Sequence, residues 1–336
     1  MKHKGGNSMK WKIAAIAAAS ILVAPIIASA QTVLKFSHYA DITHPAHAAA
    51  MQFAKNVEAR SGGRLKVDVF SGSQLGSPPE QTQQVKLGTI DLGVPTQGQL
   101  DKFDKAFAAV MMPFIFEDLA HAHRTLDGPA MGWFGPIAEK QGFVILANWE
   151  WGFRNMTNSK RPINLPDDAK GLKIRVPPEI QLEAAMEALG AQVTKIAFPE
   201  LYMSLSQGVV DGQENPVATI LSNKIYEVQK YMTLTRHSYN NMVLVMNAKR
   251  WASLAKADQQ LLQEEGKAAG NMMRKALADA ESSQIEQLQK FGMQVVAPNT
   301  APFRARMEPA YKKISDYAGA ENVQRFLKLV DESRKK

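Results

Sequence analysis

Between Lys256 and Phe291 the chain runs without a proline and carries Leu261, Leu262, Met272, Met273, Ala276, Leu277, Ala280, Ile285, Leu288 and Phe291 at helical spacing. One helix over this stretch would be roughly 50 Å long at 1.5 Å per residue, and Gly292 is placed to end it as a C-cap. Gly266 and Gly270 each weaken such a helix by about 1 kcal/mol, so a break near them is the alternative. A helix of this length exceeds one small lobe. It has to lie across two.

Chain length supports the same division. At the N-terminus, Lys2, Lys4, Lys10 and Lys12 precede the apolar run Ile13 to Ile27, followed by Ala28, Ser29 and Ala30. A basic n-region, an h-region of about 15 residues that is too short to span a bilayer, and an A-x-A cleavage site read as a Sec-type signal peptide over 1–30. The mature protein is then expected to begin at Gln31 in the periplasm. Met9, followed by Lys10 and Lys12, would also open a complete signal, which leaves Met1 and Met9 as alternative starts. The remaining chain, about 306 residues, is more than one hydrophobic core usually organises. No later stretch reaches about 18 apolar residues without a charge, so no direct membrane insertion is expected after cleavage.

Composition removes several functional classes. Loss of the four N-terminal lysines takes the formal net charge from +8 to +4, and the remaining Lys and Arg are scattered without basic runs, which argues against nucleic-acid binding. Cysteine is absent, so disulfides and thiolate metal sites are excluded. His44 with His47 and His121 with His123 have metal-like proximity but no further ligands at a recognisable spacing, and no H-E-x-x-H occurs; ordinary surface or capping histidines are expected, with no metal and no cofactor.

Turn signals recur at intervals typical of alternating strands and helices, an α/β pattern. Strands are expected at Val33 to Ser37, at 65–69 where Leu65, Val67 and Val69 alternate, at Thr89 to Val94, at Leu172 to Val176 and at Gln192 to Ile196. Helices are expected at Pro45 to Ala59, Glu80 to Leu87, Glu179 to Leu189 and Pro216 to Val228.

Against this pattern stand the segments Leu34-Lys35-Phe36-Ser37-His38, Ser73-Gln74-Leu75-Gly76, Leu87-Gly88-Thr89-Ile90-Asp91, Gly152-Phe153-Arg154-Asn155-Met156-Thr157-Asn158, Gly171-Leu172-Lys173-Ile174-Arg175-Val176-Pro177, Ala197-Phe198-Pro199-Glu200-Leu201-Tyr202 and Gly208-Val209-Val210-Asp211-Gly212-Gln213-Glu214-Asn215-Pro216. In this order, across essentially the whole mature chain, they resemble the DctP-type solute-binding proteins of TRAP transporters. The resemblance implies a two-lobed periplasmic-binding-protein fold with crossing strands and a long helix spanning both lobes. Lobe I would comprise 31–152 plus about 241–280, and lobe II 153–240 plus about 281–336. It also implies capture of a small organic acid anion by a monomer and its delivery to the small and large membrane subunits of a sodium-coupled transporter.

Arg175 is the first candidate for the ligand carboxylate. Its planar guanidinium offers two parallel hydrogen bonds that lysine cannot reproduce, and it sits at the C-terminal end of its expected strand, where open α/β sheets present ligands. Two roles compete for Arg154: ligand contact, or a charge network with Glu214 and His237, which is placed first because a buried guanidinium needs a compensating anion. Asn215, before Pro216, suits an N-cap and a donor to the ligand together. Phe198 matches a position that packs on substrate in the family. Trp149, Glu150 and Glu80 are candidate partners for ligand hydroxyls, Glu80 having helix-dipole stabilisation as its alternative role. Tyr39 is a further candidate contact.

A hydroxylated sugar-acid-like monocarboxylate is therefore expected, with a C4-dicarboxylate as the alternative. A periplasmic enzyme acting on small acids is the rival class, but the sequence holds no G-x-S-x-G elbow, no G-x-x-x-x-G-K loop and no cysteine nucleophile. Mass spectrometry of protein recovered from the periplasm should give an N-terminus at Gln31. An uncleaved chain starting at Met1 or Met9 would contradict export by this signal.

Overall fold

Strands form where apolar residues alternate with polar ones or where both faces are covered. The computed structural model describes residues 31–334, so the expected signal peptide lies outside the described residues. Its nine strands are β1 (Thr32–Ser37), β2 (Leu65–Phe70), β3 (Leu92–Gly93), β4 (Phe143–Asn158), β5 (Lys173–Val176), β6 (Gln192–Lys195), β7 (Gly212–Asn215), β8 (Tyr231–Asn247) and β9 (Gln294–Val296). They form one sheet in the order β2-β1-β3-β8-β4-β7-β5-β6, with β9 also paired to β8. The two ends of the sheet are β2-β1-β3 and β7-β5-β6. The long strands β4 and β8 run antiparallel between them, paired from Phe143 opposite Asn247 to Asn158 opposite Tyr231 with three register shifts on the way.

The expected strand at Thr89 to Val94 contracts to β3. Gly88, at φ 84, ends the helix Pro78–Leu87, and the amides of Gly88, Thr89 and Ile90 all turn back to the Gln84 carbonyl. Three residues are thus spent on closing the helix before pairing can begin. The expected helix at Pro216 to Val228 is shorter as well. It covers Val217–Ser222 and is followed by a 3-10 turn at Ile225–Glu227, because Lys224 at φ 53 is incompatible with helix continuation.

The Lys256–Lys290 helix is continuous. Near its start it meets the helix Pro45–Arg60: Glu265 accepts from Asn56 (2.7 Å) and Arg60 (2.5 Å), while Asp258 accepts from Arg64 (2.9 Å). Near its end Leu288 packs in a cluster with Val217, Ile220 and Met232, and Glu281 pairs with Arg236 (2.9 Å). Gly266 and Gly270 lie on the face that touches the sheet. A Cβ on Gly270 would fall 2.6 Å from the Asn148 carbonyl oxygen and 2.8 Å from Trp149 Cδ1, and one on Gly266 would fall 3.0 Å from Leu244 Cδ2. The glycines allow close approach to β4 and β8 and cause no break.

A second apolar cluster joins Phe36, Phe53, Trp149, Leu262 and Met273. A third carries Phe107, Phe134, Leu182, Ile314 and Phe326, so the C-terminal helices Glu308–Ala318 and Ala320–Glu332 rest on both halves of the chain. Tyr311 donates to the Pro113 carbonyl (2.8 Å), and Lys313 reaches Glu183 (3.0 Å) and Glu187 (2.7 Å). Among the described residues, no helix is long and apolar enough to cross a membrane.

Gly270→Ala should lower stability by about 1–3 kcal/mol despite its gain in helix propensity, since the obstructing atom is backbone. Gly132→Ala, also inside a helix but with no atom within 4 Å of its Cβ, should be neutral or stabilising. Urea unfolding of both variants checks this; equal effects would remove the close-approach argument.

Candidate functional site

β5 ends at Val176 because Pro177 and Pro178 cannot continue the ladder. This leaves Arg175 at the tip of a strand flanked by β7 and β6, and its side chain is only 1% exposed. Nε donates to the Ile196 carbonyl (2.8 Å), whereas Nη2 is buried with no hydrogen-bond partner. Burial pulls the guanidinium down to about 10, an effect that Glu214 only partly offsets. Phe198 stands beside it, with its ring centre 6.0 Å from Arg175 Cζ, and the Tyr39 ring meets Phe198 edge-on at 5.5 Å.

Arg154 is satisfied where Arg175 is not. It lies on β4 between two register shifts, at Glu150/Gly152 and Arg154/Met156, a local irregularity of the kind that re-aims a side chain. Its Nε and Nη2 fork onto the Glu214 carboxylate, the Nη2 bond being 2.8 Å. Nη2 also reaches the Glu214 carbonyl (2.7 Å) and Asn215 Oδ1 (3.1 Å), and Nη1 donates to Asn240 Oδ1. His237 Nε2 shares Glu214 Oε2 at 3.2 Å, while its Nδ1 pairs with Thr235 Oγ1 at 2.8 Å. Burial alone would raise the Glu214 carboxyl, but Arg154 and His237 outweigh it and hold the group below the usual carboxylate range. Two buried guanidiniums therefore stand near Glu214, and that carboxylate is committed to Arg154.

Arg154, Arg175, Asn215, Phe198 and Tyr39 line one cavity with about 340 Å³ of empty space. Thr96, Gln99 and Glu179 also line it, in addition to the residues expected from the sequence. Glu179 is 1% exposed. Burial pushes its carboxyl up to about 7, with Arg154 acting in the opposite sense. A glutamate directly after Arg175-Val-Pro-Pro was the available signal, since the prolines end the strand and turn the next side chain toward the same opening. Thr96, the N-cap of a 3-10 turn at Gln97–Lys102, and Gln99 inside that turn carry no periodic signal.

Three expected ligand contacts lie elsewhere. Glu80 is exposed and caps its own helix, accepting from Ser77 N and Oγ at 2.7 Å each; Pro78 and Pro79 of that turn reach the cavity in its place. Trp149 is core, with Nε1 on the Gly266 carbonyl (3.0 Å) and its ring edge-on to Phe36 at 6.0 Å. Glu150, on the opposite face of β4, is buried against Tyr239 OH (2.6 Å) and His123 Nε2, with Arg274 3.8 Å away. Trp151 touches the site indirectly, through Nε1 to Tyr39 OH (2.5 Å). Asn215 does not cap the following helix. Its pairing opposite Asn155 extends β7 through it, so Pro216 becomes the N-cap and the Asn215 side chain bridges Arg154 and Gln213. His44 Nδ1 caps the helix at Pro45 by accepting from Ala46 N (3.1 Å), and no metal-holding group of three His, Cys, Asp or Glu residues occurs among the described residues.

The family model for bacterial extracellular solute-binding protein, family 7, matches residues 36–317. The 2,3-diketo-L-gulonate-binding periplasmic protein YiaO of Escherichia coli is 34% identical over 263 residues, 78% of this chain and 80% of the relative. An uncharacterised protein, y4mM, of Sinorhizobium fredii is 36% identical over 290 residues, 83% of this chain, and the chain spans only 53% of its length. A TRAP periplasmic solute-binding protein from Polaromonas sp. JS666, solved bound to D-erythronate, is 36% identical with a TM-score of 0.84, covering 88% of this chain and 98% of that one. Together with the continuous sheet, its two crossing strands and a long helix lying across both lobes, these matches show that the chain belongs to the bacterial extracellular solute-binding protein family 7, the DctP family.

Proposed function

We propose that this chain is exported, cleaved after Ala30, and captures a hydroxylated monocarboxylate between its lobes as a monomer. It then delivers the acid, chemically unchanged, to the small and large membrane subunits of a sodium-coupled TRAP transporter. The lobes divide within the crossing strands, into 31–152 with about 241–280 and 153–240 with about 281–336. The observation that carries this reading is the Arg175 guanidinium, buried in a cavity with Nη2 unpartnered while Glu214 is fully engaged by Arg154 and His237. A buried, unpaired charged donor is costly, and a ligand carboxylate supplies both the missing charge and the missing acceptor. Phe198 and Tyr39 offer ring surfaces for the C–H face of a small acid, and Asn215 offers an amide. The related E. coli and Polaromonas proteins, with 2,3-diketo-L-gulonate and D-erythronate respectively, support a polyhydroxy acid.

A thermal-shift screen of organic acids identifies the ligand, because one present at 100 times its Kd stabilises by about 2.7 kcal/mol. With that acid, calorimetry should show Arg175→Ala weakening binding by about 30-fold to several thousand-fold, the usual cost of breaking a buried charge pair. Arg175→Lys should also bind substantially less well, since it keeps the charge and loses the planar fork. Wild-type affinity in folded Arg175→Ala would overturn the site, and turnover of the acid by the wild-type protein, followed by mass spectrometry, would overturn the binding-only role.

A further inference from the structure

Glu179 is a buried carboxyl with few partners from the fold; the nearby Thr96 hydroxyl favours its charged form without a well-formed hydrogen bond. Among the described residues no Lys, Arg or His lies within ion-pair reach of it. Arg154, the cation that acts on it most, is forked onto Glu214. One of its oxygens accepts a long bond from Gln99 Nε2, 3.3 Å, and the other, Oε2, is buried without a partner. Gln99 Oε1 is likewise buried and unpartnered, and it lines the same cavity. Gly98 packs so closely that a Cβ there would sit 2.9 Å from Glu179 Oε2, so the carboxyl has little freedom to swing toward another partner. Buried polar groups in folded proteins are nearly always satisfied. A group left with spare hydrogen-bonding capacity in a ligand cavity, and with only one long hydrogen bond from the fold, is suited to bind the ligand.

We propose that Glu179, held by Gln99, is the specificity-determining residue that reads a hydroxyl on the ligand's carbon chain while Arg175 holds its carboxylate. This rests on the carboxylate-binding reading of the cavity and deepens it, because it says which acids are admitted. The carboxyl accepts a hydrogen bond from the hydroxyl, and Gln99 Oε1 is a second acceptor beside it. An unsubstituted alkanoate would leave both buried acceptors unpaired. A site built to hydrogen-bond a hydroxyl rejects the analogue that lacks it far more strongly than an apolar pocket discriminates by size. Glu179 thereby takes the hydroxyl-reading role that the sequence had placed on Glu80 and Glu150.

The test pairs each hydroxy acid with the unsubstituted acid of equal chain length: D-erythronate with butanoate, and D-galactonate with hexanoate. Calorimetry on the mature protein should give a preference for at least one hydroxy acid of about 100-fold or more. Glu179→Leu, which removes the acceptor at similar volume, should reduce that preference by about 10- to 150-fold, the worth of one hydrogen bond to a charged group. It should leave alkanoate binding unchanged or tighter, because a buried negative group near the ligand carboxylate has gone. Glu179→Gln, which keeps a carbonyl acceptor, should retain part of the preference. A merely structural role for Glu179 would weaken both members of a pair alike, and that result would overturn the proposal. If Arg175→Ala abolishes binding while folded Glu179→Leu keeps the full preference, the hydroxyl assignment fails and the carboxylate reading stands. If the wild-type protein binds neither hydroxy acid, the functional reading fails and this inference with it.

Discussion

The site depends on a guanidinium that is already occupied. Arg154 bonds to the carboxylate and the carbonyl of Glu214 and to Asn215 on β7, and to Asn240 on β8. It therefore ties the two crossing strands to β7, the strand beside them, in the middle of the sheet. A buried ion pair of this kind adds little net stability, because desolvation offsets most of its Coulombic gain. Its effect is to fix geometry and charge. With Glu214 held by Arg154 and His237, no anion from this network remains for Arg175, and the positive charge at the tip of β5 is free to meet the proposed ligand.

The surrounding architecture gives that arrangement a rigid setting. β4 and β8 pass through both halves of the sheet, and the Lys256–Lys290 helix crosses the same face, packed at Gly266 and Gly270 to within one missing methyl group of the strands. Two irregularities in the β4 pairing bracket Arg154, and the prolines after Val176 and beside Phe198 set the ends of the elements that carry the other contacts. The cleft is thus built from strand ends and proline-limited turns, where side chains from Tyr39 to Asn215 converge from distant parts of the sequence.

Much of this was legible in the residues. The alternation of Leu65, Val67 and Val69, the proline-free run from Lys256 and the residues around Arg175 each carry a local physical signal that survives folding. Other features were hidden for identifiable reasons. β4 is buried along nearly its whole length on both faces, so the period-two pattern that marks a half-exposed strand is absent. The Trp149-Glu150-Trp151 run puts two large rings and a carboxylate side by side in the sequence, which suggests a shared location. In a strand, neighbours point to opposite faces, and the three are divided between the helix side and the Tyr239 side of the sheet. Glu80 carries a capping-box spacing from Ser77, a local role that competes with any ligand role. Glu179 offers no periodic signal; its importance comes from tertiary burial and from a cation already committed elsewhere.

The proposed role of the cavity depends on whether a ligand carboxylate completes the charge and hydrogen bonding of Arg175. Calorimetry with the acid that raises the melting temperature most, set against its uncharged methyl ester or lactone, tests it on the unaltered protein. The prediction is that the neutral form binds weaker than the acid by about 100-fold or more, since a buried guanidinium would then face a ligand without charge. Equal affinity for the acid and its neutral form would contradict the account.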